Sequence, residues 1–171
     1  MSQRIVIASD HAGFPLKMRL LARLQEKGFQ LEDQGCYSEA SVDYPDYAAK
    51  AIKRMYDDPQ LLGILVCGTG IGMCIAANKF HGIRAAISHD VYTARLAREH
   101  NDANVLCLGA RCIDEDTAVA VILTWLEAKF IGERHERRIA KITSLETQQT
   151  CVTSESAEYA AALSCDTEWL Y

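Results

Sequence analysis

The sequence predicts an α/β fold: a single Rossmann-like, doubly wound domain with a five-stranded parallel sheet and helices on both faces. Three observations carry this expectation. Short apolar runs alternate with amphipathic stretches from residue 4 to about 142, the pattern of successive βαβ units. Runs such as Ile5-Val6-Ile7-Ala8 have no polar alternate, as expected of strands buried on both faces. Gly28, Pro45, Pro59 and Gly109 stand at junctions between runs, where backbone punctuation belongs.

Residues 5–9 read as the first strand. Over 14–27, Leu16, Leu20 and Leu24 recur at the spacing of one helix face, and Gly28 follows as a C-terminal cap. Residues 29–33 give a second strand. After a polar loop, Pro45 opens a helix running to about Tyr56. Residues 61–66 form a third strand, ending in Cys67-Gly68-Thr69-Gly70-Ile71-Gly72, with a helix over 73–80. Residues 83–87 are a fourth strand, 90–100 a helix with an acidic cap, and 104–108 a fifth strand. The last helix covers 114–130, with Asp114, Glu115 and Asp116 complementing its dipole.

One domain fits the 171 residues, with the body at 1–142 and a C-terminal extension at 143–171. All 18 Lys and Arg lie at or before Lys141; five of the 23 acids (Glu146, Glu155, Glu158, Asp166, Glu168) lie beyond it and equal the net charge of −5. The body is therefore balanced and the tail acidic. The Ser/Thr-rich tail reads as disordered or loosely packed on the body. A nucleic-acid partner would demand a basic stripe, and none is visible. No apolar run is long enough for a membrane span, and no secretory signal is recognisable, so the expected compartment is the cytoplasm. The seven cysteines are odd in number and irregular in spacing, without a Cys-x-x-Cys pair, so neither a disulfide framework nor a zinc site is expected.

In an open parallel sheet, ligands bind beyond the carboxyl ends of the strands, where the winding reverses. The strand ends carry Asp10-His11, the run from Cys67 to Gly72, Ser88-His89-Asp90 and Gly109-Ala110-Arg111. Alternate glycines at Gly68, Gly70 and Gly72 let backbone N–H groups converge on an anion, either a phosphate or a transient oxyanion. A dinucleotide fingerprint would need glycine at Met73, although Asp90 lies at the distance of a ribose-binding acid; a P-loop is excluded because no Gly-Lys-Ser/Thr follows. A plain tight turn remains open for the same run. Cys67 beside it reads equally as a nucleophile or general base and as a small residue closing a strand. Arg134 and Arg138 stand one helical turn apart, a spacing suited to gripping phosphate or to a solvated face. His100, followed by Asn101, sits at a helix end as a candidate acid or base.

Six segments in order resemble the ribose-5-phosphate isomerase B family and its galactose-6-phosphate and allose-6-phosphate isomerase relatives. They are Ser9-Asp10-His11-Ala12-Gly13-Phe14, Val42-Asp43-Tyr44-Pro45, Cys67-Gly68-Thr69-Gly70-Ile71-Gly72-Met73, Ala76-Ala77-Asn78-Lys79, His100-Asn101-Asp102-Ala103-Asn104-Val105 and Gly132-Glu133-Arg134-His135-Glu136-Arg137-Arg138-Ile139. The resemblance implies interconversion of D-ribose 5-phosphate and D-ribulose 5-phosphate through an enediolate, without metal or organic cofactor, in the non-oxidative pentose phosphate pathway. It implies Cys67 as the base, since the family's other branch carries glutamate where Met73 stands. It further implies Gly68, Gly70, Ile71 and Gly72 as an oxyanion pocket with the Thr69 hydroxyl nearby, and His100 as the residue that opens the sugar ring. Asp10 and Asn101 would orient hydroxyls, and His11, Arg111, Arg134 and Arg138 would hold phosphate. A homodimer with the site between subunits is implied, or a tetramer built from such dimers. A hexose 6-phosphate substrate, or a non-catalytic sugar-phosphate-binding role, are the alternatives.

Overall fold

The computed structural model describes residues 3–146. Over residues 4–127, five strands and five helices alternate: β1 (Arg4–Ser9), α1 (Phe14–Glu26), β2 (Gln30–Asp33), α2 (Tyr44–Asp57), β3 (Leu62–Cys67), α3 (Ile71–Ala77), β4 (Ala85–Ile87), α4 (Val91–Asn101), β5 (Val105–Gly109) and α5 (Glu115–Glu127). All four strand pairings are parallel, in the order β2-β1-β3-β5-β4. The expected α/β sheet is present.

Crossover connections between parallel strands are right-handed, so the direction of each step across the sheet decides which face its helix covers. The steps β1 to β2 and β4 to β5 run one way, and α1 and α4 pack with α5 on one face around Leu16, Leu20, Leu24, Val121, Ile122 and Trp125. The steps β2 to β3 and β3 to β4 run the other way, and α2 and α3 cover the opposite face around Ile52, Met55, Leu65 and Met73. The central strands β3 and β5 are buried throughout, which explains their unbroken apolar runs.

Element ends follow local chemistry. Gly28 has φ of +87°, and Phe29 N–H bonds back to the Leu24 carbonyl at 3.1 Å, so α1 stops as expected. Asp90 and Asp114 cap α4 and α5, each accepting a backbone N–H three residues on at 2.8 Å. Those bonds hold both carboxyls below the usual carboxylate range. Two helices depart from expectation. α3 begins at Ile71, inside the glycine run. α5 ends at Glu127 rather than Phe130, because Ala128 turns extended and Ile131 N–H bonds to the Glu99 carbonyl of α4.

Lys17 is fully buried on α1. Its ammonium donates to both Asp33 carboxylate oxygens (2.6 and 2.8 Å) and to the Cys36 carbonyl (2.8 Å), which satisfies a charge that would otherwise be costly to bury.

Glu32 joins three elements by accepting from Arg4 of β1 at 2.7 Å and Arg54 of α2 at 2.6 Å. The Arg54 hydrogen bond, then that of Arg4, hold its carboxyl below the ordinary value against the opposing effect of burial. A lowered folded-state value means stability that is present above the unfolded glutamate pKa and lost as pH falls through the folded value. Glu32→Gln is therefore expected to cost about 0.5–1 kcal/mol at pH 7 after solvent screening, or about 2–3 °C in Tm. Thermal melts should show the gap from the parent closing below about pH 4; a gap unchanged across that range would exclude the ion pair as its cause.

The chain divides into two compact units at Gly132 and Glu133. In the second, residues 134–146 are helical, so helix spans the point at which the sequence reading begins the tail; residues 147–171 of that extension lie outside the described residues.

Candidate active site

The winding reverses between β1 and β3, because α1 leaves β1 toward one face and α3 leaves β3 toward the other. At that crevice Asp10 is buried (6% exposed), and its N–H donates to the Val66 carbonyl at 3.2 Å. Its Oδ1 accepts the Gly13 N–H at 2.8 Å. A Cβ on Gly13 would lie 2.2 Å from the Val66 carbonyl oxygen, so only glycine lets this turn press against the end of β3. Asp10 is thereby locked beside the residue preceding Cys67.

Cys67 is the last residue of β3 and is 5% exposed. Its Sγ accepts the Gly70 N–H at 3.1 Å, which fixes the sulfur at the mouth of the glycine loop. Gly70 has φ of +80°, which turns its amide back toward the sulfur. The Ile71 N–H faces Thr69 Oγ1 at 3.4 Å. Two of the four amides expected to form an anion pocket therefore bond inside the loop. The Tyr44 ring lies over Gly72, 2.7–3.1 Å from where a Cβ would stand.

The β5 loop is stitched to this one. Ala110 N–H donates to the Cys67 carbonyl (2.8 Å) and Arg111 N–H to the Gly68 carbonyl (3.0 Å). The Arg111 guanidinium sits over Gly68, 3.3–3.5 Å from its missing Cβ. A delocalised cation is thus carried onto the glycine loop, where an anionic substrate group would be drawn. His11 is held by Nδ1, 3.2 Å from both the N–H and the carbonyl oxygen of Val42, so either neutral tautomer keeps the ring in place. At the end of β4, Ser88 Oγ and His89 Nε2 are buried without a hydrogen-bond partner among the described residues.

Cys107, deeper on the same sheet face, is pushed well up by its hydrogen bond to Cys74 and then by burial, while Cys74 is lowered by that same bond. Cys107 stays a thiol and is no rival base. Met73 is fully buried in the core cluster that contains Cys67. No group of three or more metal-ligating side chains occurs among the described residues.

Asp10, His11, Cys67, Gly68, Thr69, Gly70, Ile71, Gly72 and Arg111 therefore share the carboxyl-end rim. His100 and Asn101 do not. They end α4, which returns the chain from the end of β4 to the start of β5, so they stand at the amino-end rim. Asn104 and Arg84 mark that rim, since the Asn104 carbonyl accepts from Gly63 at the start of β3 and the Arg84 carbonyl from Val105. Eleven residues of helix separate the rims by on the order of 15 Å. One chain does not bring His100 to Cys67. Arg134 and Arg138 lie one turn apart on the helical second unit, 134–146. Tyr44 is the contact that motif spacing alone did not reveal, because its ring reaches the loop from a helix 28 residues away in sequence, the difference between positions 44 and 72.

A parallel α/β sheet with a thiol, a glycine loop and a guanidinium at its switch point defines a protein built to bind and transform a small anionic substrate. Residues 5–142 match the family model described as ribose/galactose isomerase, and the chain belongs to that family. It is 41% identical over 147 residues to ribose-5-phosphate isomerase B of Escherichia coli, covering 86% of this chain and 99% of that protein. It is similar in structure to a ribose 5-phosphate isomerase from Thermotoga maritima (50% identity, TM-score 0.82, covering 84% of this chain and 99% of the other). It also resembles ribose-5-phosphate isomerase B of Mycoplasma genitalium with bound ribulose-5-phosphate (44% identity, TM-score 0.81, covering 86% and 98%).

Proposed function

We propose that this chain interconverts D-ribose 5-phosphate and D-ribulose 5-phosphate in the cytoplasm, without metal or organic cofactor, as a homodimer whose two sites are each shared between subunits. The observation that carries the reading is Cys67 Sγ at the sheet's switch point, with the Gly70 amide on it and the Arg111 guanidinium over the adjoining Gly68. Cys67 removes the C2 proton of the open-chain aldose through its sulfur and the electron pair moves to O1; the O2 proton then passes to O1, and the Cys67 thiol returns the abstracted proton to C1 as the C2–O bond becomes the ketone. Developing charge on oxygen is met by amides of the loop from Gly68 to Gly72 and by the Thr69 hydroxyl. Asp10 and Asn101 orient sugar hydroxyls. His11, Arg111, Arg134 and Arg138 hold the phosphate.

His100 opens the ring of the cyclised aldose. Its place on the far rim supports a second subunit: the partner's His100 and Asn101 complete the site around one chain's Cys67. The exposed apolar side chains of Ile71 and Ile75, one turn apart on α3, are consistent with a surface that another chain covers.

The test is turnover of ribose 5-phosphate, allose 6-phosphate and galactose 6-phosphate, each with EDTA. Ribose 5-phosphate should be favoured by kcat/KM, and chelation should leave its rate unchanged. Greater turnover of a hexose phosphate would reassign the substrate; activity dependent on added metal would sink the mechanism.

A further inference from the structure

His100 and Asn101 are the last two residues of α4, and a helix end frays unless its carbonyls find donors. The turn that follows is tied down with unusual density. Asp102 adopts the left-handed conformation, φ 45°, and its carboxylate takes Arg84 Nη2 at 2.7 Å on one oxygen and Arg98 Nη1 at 2.7 Å on the other. Arg84 Nε donates at the same time to the carbonyls of Asn101 (3.1 Å) and Asp102 (2.9 Å). Arg98 Nη1 also reaches the Ala103 carbonyl at 3.1 Å. Asn104 completes the frame: its Oδ1 accepts the Arg84 N–H at 2.8 Å, and its Nδ2 donates to the Gly82 carbonyl at 2.9 Å. Both arginine side chains are 22% exposed and Asp102 is 32% exposed, so the pairs are partly shielded from water.

Stopping a helix requires far less. A single glycine in the left-handed conformation closes a helix without any charge. Here a non-glycine residue holds that conformation, and two guanidiniums on its carboxylate also bind the backbone on either side. The residues so fixed are the last two of α4 on the far rim, Asn101 exposed and His100 half-buried.

We propose that Asp102, acting through Arg84 and Arg98, is a positioning residue of the active site: it sets the backbone of His100 and Asn101 so that the histidine meets the sugar ring in the partner subunit's site. The proposal rests on the isomerase reading and deepens it. Asp102 touches no reacting atom; its role is to keep a group delivered from another chain within the narrow tolerance that proton transfer demands.

Asp102→Asn and Asp102→Gly both tolerate the left-handed backbone and both remove the charge that the arginines grip. Two assays separate ring opening from enolisation. Ribose 5-phosphate is largely cyclic and needs the ring opened. Ribulose 5-phosphate is acyclic, because its C5 oxygen carries the phosphate, and exchange of its C1 proton with deuterated solvent requires only the base. Each variant should lower kcat on ribose 5-phosphate by about 10- to 100-fold, with KM little changed and C1 exchange kept within about threefold of the parent. Unchanged kcat in both variants would overturn the proposal, as would a parallel fall in exchange and turnover, which is the pattern of general structural damage. A parent chain that exchanges no C1 proton would remove the isomerase reading, and the proposal with it.

Discussion

Cys67→Ala is expected to reduce turnover of ribose 5-phosphate by about a thousandfold while leaving the fold intact. Alanine keeps the end of β3 apolar and removes only the sulfur, so a stability cost of about 1 kcal/mol is the scale to expect. The chemistry has no substitute close by. Cys107 on the same sheet face is held as a thiol by Cys74 and by burial, and Met73 is buried with nothing to ionise. Asp10 is engaged with the Gly13 amide. Cys67→Ser is the sharper companion, since the hydroxyl still offers an acceptor to the Gly70 N–H but is a far weaker proton acceptor near neutral pH. Both variants should lose C1 proton exchange of ribulose 5-phosphate together with turnover, which separates loss of the base from loss of ring opening. A kcat within tenfold of the parent in the alanine variant would move the base elsewhere.

Much of the frame that holds Cys67 is legible in the sequence. Unbroken apolar runs marked the central strands, and the Leu16, Leu20, Leu24 stripe marked the buried face of α1. The rim rule gathered Asp10, Cys67 and Arg111 correctly because it depends only on where strands end. What periodicity does not carry is lateral order. Nothing in the runs says that β5 lies between β3 and β4, yet this order brings the Ala110 and Arg111 amides onto the Cys67 loop. Lys17 was illegible for a different reason. A lysine between Leu16 and Met18 reads as a solvated side chain, and only the Asp33 carboxylate on β2 makes its burial tolerable. The glycine run misled about helix onset: Gly72 breaks neither the first turn of α3 nor its hydrogen bonding, so the helix starts at Ile71. The separation of His100 from Cys67 follows from the alternation itself, because a helix between parallel strands returns the chain to the opposite rim.

That separation leads to the second large effect. Chains carrying Cys67→Ala and chains carrying His100→Gln should each be nearly inactive alone, yet co-expression should restore about one quarter of parental activity. In a shared-site dimer each site takes Cys67 from one chain and His100 from the other. Random pairing makes about half of the dimers mixed, and in each mixed dimer one site receives both defects while the other receives neither. From a background about a thousandfold down, recovery to a quarter is a rise of several hundredfold. Distinct affinity tags on the two chains would isolate the mixed dimer, whose specific activity should be about half that of the parent. Arg134→Ala and Arg138→Ala, each paired in turn with Cys67→Ala, extend the logic to the second unit: complementation means the arginine is donated across the interface, and its absence means the arginine serves its own chain's Cys67. If Cys67→Ala and His100→Gln chains fail to complement although mixed dimers form, the two residues act within one chain. The 15 Å between the rims, an order-of-magnitude span from the length of α4, would then have to close by a rearrangement of the sheet's own layers. Dense packing on both sheet faces opposes that, and a partner's His100 needs no such movement.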